Sequence, residues 1–488
     1  MAAHSRVSNE ALEEKRLDAE YYSKEYVVNA EKIQNFGACC SLESIRKDSI
    51  PIRRGIDMPV LVEDKTAPVL VTIASFIDPG VEFFDLKNIS YEQHEKFHGS
   101  QVQAGDLLVA MGGYAGRAAI FPEKAPKANI GRHTARVVID GEKADKYYIW
   151  AFIRSQIGMK QFERYITGSV QAGINLEDLR EIKIVSPLCL AQKYIGNKVR
   201  QAERLRAWAR KCELYCNNRL LKRFKYKKIE SMRKRPRKVC KELLTTISLN
   251  PEYSEGTEGQ NTFEKAAPLS SMIKTCKCGE PIKSEDRIKG EYPYYGASGP
   301  IDSHNKFNFD GTYLIVAQDG SIGFASVVRG KFWANNHVWI VEVKSEYNID
   351  SIAYFLNNHF PYWKGVTTGS VVPKVTAENL LRIKVPLDIA FDFDSGNQLI
   401  NSNLGRVQSN KLISAAKLLV EGLIERKVTE QDLIHAQQAL DKGDNSLDRN
   451  ILSRLTTTGI DDDGAPLFPD LDQLYQLLEQ SNNPDSEV

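Results

Sequence analysis

The chain has 488 residues, of which 42% are hydrophobic and 26% are charged, a composition typical of globular proteins with room for about three domains. It lacks the run of about 18 apolar residues that a membrane helix needs, and charged residues stand where a signal peptide has its apolar region. These features predict a cytoplasmic protein with no membrane partner. The eight cysteines lack the paired spacing of a zinc site, so no metal site is predicted.

Charge is unevenly distributed along the chain, although the net charge is only +2. Residues 200–238 contain sixteen Lys or Arg against three Glu, whereas residues 461–488 contain eight acidic residues and no Lys or Arg. The basic segment could face phosphates or an acidic partner, and the simpler alternative is a solvated helix face. The balanced total therefore hides a cationic middle and an anionic end.

The same succession of motifs occurs twice along the chain. From Arg16, the first copy has RLDAEYY, GDLLVAMGGYAG, HTARVVI and TGSVQAGIN. From Ser248, the second copy has SLNPEYS, GTYLIVAQDGSIG, HVWIVEV and TGSVVPKVT in the same order. A repeat of this length is too long for a solenoid unit, so it predicts a duplicated domain.

Both copies predict the same local structure. The apolar runs Leu107–Ala110 and Leu314–Ala317 are typical of buried strands, and the glycines after them suit turns with positive φ. Short helices are predicted over Tyr147–Gln156 and Ile352–Phe360, and another begins at Asn175, before a strand that ends at proline. Each copy is therefore predicted to be an α+β globule of about 150–190 residues.

Each copy is followed by a long segment with apolar residues at helical spacing, from Cys189 to about Lys228 and from Asn397 to Gln438. One helix alone cannot bury such a stripe, so the two are predicted to pack against each other, antiparallel, as a coiled coil. The alternative is that each helix lies on its own globule. The stripe residues predicted to make these partner-binding helices are Ile195, Val199, Leu205, Leu220, Leu404, Val407, Leu419 and Leu423.

The predicted fold class is thus α+β, with two repeated globules separated by two long antiparallel helices and related by a pseudo-two-fold axis. Duplex DNA has the same local symmetry, and proteins that read two separated half-sites mirror it.

These motifs, together with YPYYGASGPIDSHNKF from Tyr292, resemble a type I restriction-modification specificity (S) subunit over residues from about 10 to 430. The resemblance implies a non-catalytic subunit that reads a bipartite DNA sequence, with one half read by each globule. The helices are expected to act as a ruler and to dock two methyltransferase (M) subunits, through which restriction (R) subunits join. The chain itself is expected to bind no cofactor, while the partner subunits carry S-adenosylmethionine, ATP and Mg²⁺.

The resemblance also divides the chain into five segments. These are a first target recognition domain (1–188), a first spacer helix (189–238), a second target recognition domain (239–388), a second spacer helix (389–440) and an acidic C-terminal tail (441–488).

Base reading requires hydrogen-bonding side chains on projecting loops. The candidates in the first copy are Arg53, Arg54, Arg117, Lys127, Arg132, Ser169 and Gln171. The candidates in the second copy are Lys306, Ser321, Lys331, Asn335, Asn336, Ser370 and Lys374. For any one of them, a surface polar group or a structural turn is the simpler explanation. The basic run 222–238 could contact either phosphates or the methyltransferase.

Three other functions compete with DNA recognition. A metal-dependent nuclease could use Asp319, Glu342 and Lys344, because two carboxylates and a lysine can hold a divalent ion and activate water. A methyltransferase is disfavoured, because the chain lacks a glycine-rich cofactor turn after a strand and an Asn-Pro-Pro-aromatic tetrapeptide. A scaffold whose globules bind proteins, without DNA readout, also fits the duplicated layout.

Overall fold

The computed structural model describes residues 19–166, 173–223, 265–359, 366–368 and 373–482. The chain forms two compact units, the first from Met1–Trp208 with Gly405–Ser486 and the second from Ala209–Leu404 with Glu487–Val488. Both units combine helices with β-sheets, which confirms the predicted α+β class. Among the described helices, none is both long enough and apolar enough to cross a lipid bilayer.

Unit 1 contains two four-stranded sheets and one strand pair. Its strands are β1 (Cys39–Ser41), β2 (Arg53–Arg54), β3 (Leu61–Val62), β4 (Val69–Val71), β5 (Asn88–Ile89), β6 (Leu107–Ala110), β7 (Ala118–Ile120), β8 (Ala128–Ile130), β9 (Thr134–Val137) and β10 (Lys183–Val185). The sheets have the orders β2-β9-β6-β7 and β3-β5-β4-β8, and β1 pairs with β10. The two larger sheets share one core, in which Leu108 of β6 packs with Val71 of β4 and Ile130 of β8.

The helices of unit 1 before the long helix are Lys24–Phe36, Tyr91–Lys96, Lys146–Arg154, Gln156–Tyr165 and Leu176–Glu181. The prediction over Tyr147–Gln156 is confirmed by Lys146–Arg154, which begins where the Asp145 side chain accepts hydrogen bonds from the Tyr147 and Tyr148 N–H groups. Ser155 ends this helix and caps the next by accepting a hydrogen bond from the Gly158 N–H.

Unit 2 is built around one six-stranded sheet. Its strands are β11 (Ala266–Pro268), β12 (Ile273–Cys278), β13 (Tyr292–Gly296), β14 (Gly299–His304), β15 (Phe309–Ala317), β16 (Ala325–Ala334), β17 (Val338–Val343), β18 (Thr367–Thr368), β19 (Lys374–Val375) and β20 (Lys384–Pro386). The sheet has the order β12-β17-β15-β16-β13-β14, and the pairs β11-β20 and β18-β19 stand apart. The short helices are Leu269–Met272, Ile349–Tyr354, Ala377–Arg382 and Leu387–Ala390, with a π-helical turn over Phe355–His359.

The duplication seen in the sequence is also present in the strand order. β2-β9-β6-β7 of unit 1 corresponds to β12-β17-β15-β16 of unit 2, and all neighbours in both sets are antiparallel. The pair β1-β10 corresponds to β11-β20, and in each unit the second strand of the pair directly precedes a long helical segment. The copies differ in the elements added around this shared frame.

The two long helices are Cys189–Arg223 and Phe393–Ile424, and they pair antiparallel within each unit. In unit 1 the Ser409 hydroxyl donates to the Ala202 carbonyl (2.8 Å). Within unit 2 the Ser402 hydroxyl donates to Glu213 (3.0 Å), and the Cys216 thiol donates to the Ser395 carbonyl (3.4 Å). The contact position rises along one helix as it falls along the other, so the predicted antiparallel pairing is confirmed. The coiled coil and the pseudo-two-fold axis stay predictions.

Most of the stripe residues are buried inside the chain, while the role of the helices in binding a partner stays a prediction. Five have an exposed fraction of at most 3%, namely Ile195, Val199, Leu205, Leu419 and Leu423. Val407 is 49% exposed, Leu404 is half-buried, and the side chain of Leu220 lies outside the described part of the structure. The stripe therefore holds the helices in the fold, and a partner would have to use other faces.

The second spacer helix is shorter than predicted, and the acidic tail is largely folded. The long helix ends at Ile424, and Arg426 has a φ of 61°, so the chain turns instead of continuing helically to residue 440. Three further helices follow, Glu430–Asp441, Ser446–Ser453 and Leu471–Asn482. Asp432, Asp441 and Asp472 are exposed while Leu433, Leu452 and Leu474 are buried, features that a count of charges does not reveal.

A buried ion pair joins this C-terminal helical segment (residues 430–482) to the first long helix. Lys198 and Asp448 are 2.5 Å apart, and their side chains are 0% and 1% exposed. Asp448 also accepts hydrogen bonds from the Tyr194 hydroxyl (2.6 Å) and the Tyr475 hydroxyl. Burial by itself would raise the pKa of Asp448, but Lys198 and the two tyrosines outweigh it and hold that pKa below its usual range.

Replacing Asp448 by Ala should strongly destabilise unit 1, because it leaves the Lys198 ammonium buried without a counter-charge. We expect the free energy of unfolding to fall by about 3–5 kcal/mol, measured by urea denaturation of the full chain. The matched control is Asp472→Ala, which removes a 90% exposed carboxylate paired with Arg449 and should cost less than about 1 kcal/mol. Equal losses in the two variants would contradict the assignment.

Candidate nucleic-acid interface

Three segments that are far apart in sequence meet at one end of the β6-β9 pair in unit 1. The Met111 N–H donates to the His133 carbonyl (2.7 Å), and the Ile174 N–H donates to the Met111 carbonyl (2.8 Å). Gly112 also forms a bridge with Gly173. We call residues 111–116, 131–133 and 173–174 the first junction.

The same three segments meet in unit 2 with the same hydrogen bonds. The Gln318 N–H donates to the His337 carbonyl (2.8 Å), and the Val375 N–H donates to the Gln318 carbonyl (2.7 Å). We call residues 318–323, 335–337 and 373–375 the second junction. Main-chain groups make all of these bonds, so the frame does not depend on which side chains it displays.

The glycine turns of the two junctions have matching backbone conformations. Gly113 and Gly116 have φ values of 70° and 83°, and Gly320 and Gly323 have values of 66° and 100°. These values lie in the left-handed region, which residues with a Cβ atom rarely adopt, so the predicted positive-φ turns are confirmed.

The segment after each junction explains why the helix that follows TGSV is repeated. Asn175 accepts a hydrogen bond from the Asp178 N–H, and Thr376 accepts one from the Asn379 N–H, so each begins a six-residue helix. Leu179 and Leu380, at equivalent positions in the two helices, are both fully buried. Cap and buried leucine together fix the start of each helix directly after residues 173–174 and 373–375 of the junctions.

The structure distributes the candidates of the first copy over different environments. Arg132 is exposed at the first junction, where its Nε donates to His133 Nε2 (2.9 Å). Arg117 is half-buried and donates to the Phe76 carbonyl (2.7 Å), so its role is structural. Lys127 is exposed but precedes β8, whereas Arg132 follows it, so the two lie at opposite ends of that strand. Arg53 and Arg54 are exposed on β2, beside β9, while Ser169 and Gln171 lie outside the described residues.

At the second junction, Ser321 and Asn336 are exposed. Lys374 is also exposed, and its ammonium lies 3.9 Å from the Asp319 carboxylate. Asn335 is 8% exposed and its side-chain oxygen accepts a hydrogen bond from the His337 N–H, so its side chain braces the turn instead of projecting from it.

The remaining candidates of the second copy lie away from these contacts. Lys306 follows β14, and Lys331 lies on β16 with its ammonium 4.8 Å from the centre of the Phe307 ring. Ser370 is outside the described residues. Neither lysine is brought to the second junction by a contact in the structure.

Sequence reasoning missed three exposed side chains at the junctions. Tyr114 is 70% exposed in the first glycine turn, and His133 is exposed beside Arg132. His337 is half-exposed, and its Nδ1 lies 2.8 Å from Asp319 Oδ1. An aromatic residue inside a glycine-rich turn has few neighbours to cover it, and that signal could have identified Tyr114.

The nuclease interpretation is not supported by the geometry. Asp319 contacts His337, which lies five residues before Glu342 along β17, a span of roughly 17 Å in a strand. Glu342 pairs with Lys274 (3.3 Å), and Lys344 donates to the Ser271 carbonyl (2.7 Å). The three residues therefore do not converge, and the described residues contain no group of His, Cys, Asp or Glu suited to a metal ion.

The methyltransferase interpretation is not supported either. Asp392, in the FDFDSGN segment, accepts hydrogen bonds from the N–H and the hydroxyl of Ser395 and pairs with Arg219 (3.0 Å). These contacts place it at the start of the second long helix, where it has a structural role and forms no cofactor turn.

The fold and the junctions define a protein that presents one backbone frame twice with different polar side chains. The sequence model of the type I restriction modification DNA specificity domain matches residues 70–207 and 266–389, more than half of the chain. The chain therefore belongs to this family. Its specificity subunits are non-catalytic, in agreement with the prediction that the chain is not an enzyme.

Individual relatives are more distant. A type I restriction enzyme specificity subunit of Haemophilus influenzae is 32% identical over 114 residues, a match that spans 22% of this chain and 29% of the relative's length. Among solved structures, the type I S subunit from M. genitalium is 16% identical, covers 80% of this chain and 96% of its own, and has a TM-score of 0.47. The HsdS subunit of Thermoanaerobacter tengcongensis is 14% identical, with coverages of 84% and 96% and a TM-score of 0.24.

Truncation of Arg117 should destabilise unit 1, whereas truncation of Arg132 should leave its stability almost unchanged. Arg117→Ala removes a half-buried charged donor from the Phe76 carbonyl and should lower the free energy of unfolding by about 1.5–3 kcal/mol. Arg132→Ala removes an exposed group and should change it by less than about 0.5 kcal/mol. Urea denaturation of both variants tests this, and a larger loss for Arg132→Ala would reverse the assignment.

Proposed function

We propose that this chain is the DNA-recognition subunit of a type I restriction-modification complex and that it reads a bipartite target. Each junction would present its exposed side chains to one half of the target. The relative from Haemophilus influenzae, a type I restriction enzyme specificity subunit, supports this class of function.

One observation carries the proposal, namely that equivalent backbone frames display different hydrogen-bonding side chains. The first junction displays Tyr114 and Arg132, and the second displays Ser321, Asn336 and Lys374. Arginine pairs well with guanine edges and asparagine with adenine edges, while lysine also contacts phosphates. Two frames with different displays are what a protein needs to read two different half-sites.

The complex would also contain two methyltransferase subunits and, through them, restriction subunits. S-adenosylmethionine, ATP and Mg²⁺ would be bound by those partners, and the chain itself would bind double-stranded DNA. Because the apolar stripes of the long helices are buried, docking would use the polar outer faces of these helices or the surfaces of the units. The proposed setting is the cytoplasm, where DNA and the partner subunits occur together.

A protein-binding scaffold is the second candidate, because duplicated frames could equally hold two proteins. The chemistry of DNA separates the two functions, since each phosphate that the protein neutralises releases counterions. A DNA reader must therefore lose affinity as salt rises, whereas a scaffold need not bind DNA at all.

Arg132→Ala should weaken DNA binding by the full chain and lower the slope of log Kd against log salt concentration by about 1. Fluorescence anisotropy with a labelled duplex over a salt series measures this slope. The control is Lys143→Ala, because Lys143 pairs with Asp48 (2.8 Å) beyond the other end of β9. An unmodified chain that binds no duplex at low salt would favour the scaffold, and an equal change in both variants would remove Arg132 from the interface.

Exchange of a whole globule tests independent reading of the two half-sites. Replacing residues 20–185 by the corresponding segment of another specificity subunit should change one half of the methylated sequence and leave the other half unchanged. Sequencing methods that detect modified bases in the host genome give the result directly. A change in both halves would contradict the proposal that each unit reads alone.

A further inference from the structure

A fourth segment joins the first junction, and no motif of the repeat includes it. Arg54 at the end of β2 pairs with Ala135 of β9, and the next residue, Gly55, donates its N–H to the Thr134 carbonyl (3.1 Å). The Ile56 N–H then donates to the Ile130 carbonyl (2.9 Å). The chain thus leaves β2 directly alongside the turn that carries Arg132.

The corresponding segment of unit 2 makes the corresponding contacts. Cys278 at the end of β12 pairs with Trp339, which lies two residues after His337 just as Ala135 lies two residues after His133. The Gly279 N–H donates to the Val338 carbonyl (3.4 Å), and the Glu280 N–H donates to the Ala334 carbonyl (2.9 Å). Arg54 and Cys278 therefore occupy equivalent positions, although their sequences share only the glycine that follows.

Both of these glycines are required by close backbone contact. A Cβ on Gly55 would lie 1.9 Å from the Ile130 carbonyl oxygen, and one on Gly279 would lie 2.2 Å from the Asn335 carbonyl oxygen. Backbone atoms cannot move aside for a side chain as a flexible side chain could. Each unit therefore fixes the start of the following loop against a turn. That turn joins β8 to β9 in unit 1 and β16 to β17 in unit 2.

The loops that start from these glycines, and the residues just before them, carry exposed side chains. In unit 1, Met58 is 85% exposed and Val60 is 56% exposed. Arg54 pairs with Asp57 (3.1 Å), and both side chains are more than half exposed. Such an exposed pair contributes little energy, so Arg54 can exchange Asp57 for a phosphate or a base at small cost.

In unit 2 the equivalent loop presents a cation instead. Lys283 is 79% exposed, and its ammonium lies 3.8 Å from Glu285. At the start of the loop, burial raises the pKa of the Cys278 thiol, with Asp319 adding to the rise and the Gly279 N–H opposing it. The thiol is thus neutral near pH 7, whereas the equivalent position of unit 1 carries the charged guanidinium of Arg54.

We propose that residues 56–60 and 280–284 form a fourth recognition segment in each unit, with Met58 in apolar contact with a base edge, such as a thymine methyl group, and Lys283 in contact with the other half-site. This inference rests on the proposed function. Three things support it: the shared glycine anchor, the start of each segment at its junction, and the exposed Arg53 and Arg54, which precede the loop of Met58 and would attract phosphates. A base that covers Met58 on binding would also explain why this apolar side chain is exposed to solvent in the free protein.

The test compares Met58→Ala, Lys283→Ala and the control Phe84→Ala in the full chain, produced with its methyltransferase subunits in a host without DNA methylation. The probe is the host's genomic DNA, sequenced for modified bases. Phe84 is 87% exposed but follows Phe83, whose ring packs on Phe121 at the opposite end of the β6-β7 hairpin from the glycine turn. All three changes are at exposed positions and should leave the unfolding temperature unchanged.

Met58→Ala should lower methylation at the original motif at least tenfold at limiting expression, or relax the base requirement at one or two positions of one half-site. Lys283→Ala should act on the other half-site, and Phe84→Ala should match the unmodified chain. An unchanged motif and methylation level for Met58→Ala would overturn the inference while leaving the proposed function intact. Absence of any sequence-dependent methylation with the unmodified chain would overturn the proposed function itself.

Discussion

The structure depends on a small set of main-chain hydrogen bonds that hold three loops together at the end of one strand pair. In unit 1 these bonds join Met111 to His133 and Ile174, and in unit 2 they join Gln318 to His337 and Val375. Every residue except proline can supply the same N–H and C=O groups, so the frame is insensitive to substitution of the side chains around it. The local sequence is constrained chiefly at glycines, either by a positive φ, as at Gly113 and Gly320, or by close backbone contact, as at Gly55 and Gly279.

This constraint explains the mixture of repeated and divergent sequence along the chain. The repeated residues are those that build the frame: Gly113, Gly116 and Leu179 in the first copy, with their partners in the second. The divergent residues, such as Arg132 and Asn336, project from it. Two equal backbone frames that carry different exposed side chains fit the proposal that each unit reads a different half-site.

The C-terminal helical segment adds a second, unrepeated constraint. It covers the first half of the first long helix through the Lys198–Asp448 pair, and Lys193 (2.9 Å from Asp441) adds an exposed pair at the surface. A buried ion pair costs desolvation energy and is weak evidence for stability, but it is intolerant of wrong partners. The pair therefore specifies where residues 430–482 pack more than it strengthens that packing.

The sequence predicted the frame well because its signals are local. Buried strands, positive-φ glycines, helix caps and the antiparallel helices all follow from short patterns and were confirmed. The predictions of individual readers were weaker because exposure depends on distant contacts. Asn335 and Asn336 are neighbours with the same chemistry, yet one is buried against the His337 N–H and the other is exposed. Likewise, nothing near Arg117 in the sequence indicates that the Phe76 carbonyl will take its hydrogen bonds.

Gly55 and Gly279 could not be predicted from their local sequence, but comparison of the two copies identifies both. Each is needed because a carbonyl oxygen from a distant segment, that of Ile130 or Asn335, lies within 2.2 Å of the place a Cβ would take. Neither has a positive φ, so no local rule marks them, and their flanking sequences RRGID and KCGEP do not align by eye. Comparing the two copies through their strand registers makes the equivalence evident. In a duplicated protein, comparison of the two copies therefore separates two kinds of residue. A contact that recurs although the sequences differ is required by the frame, and the residues that vary around it are available for recognition.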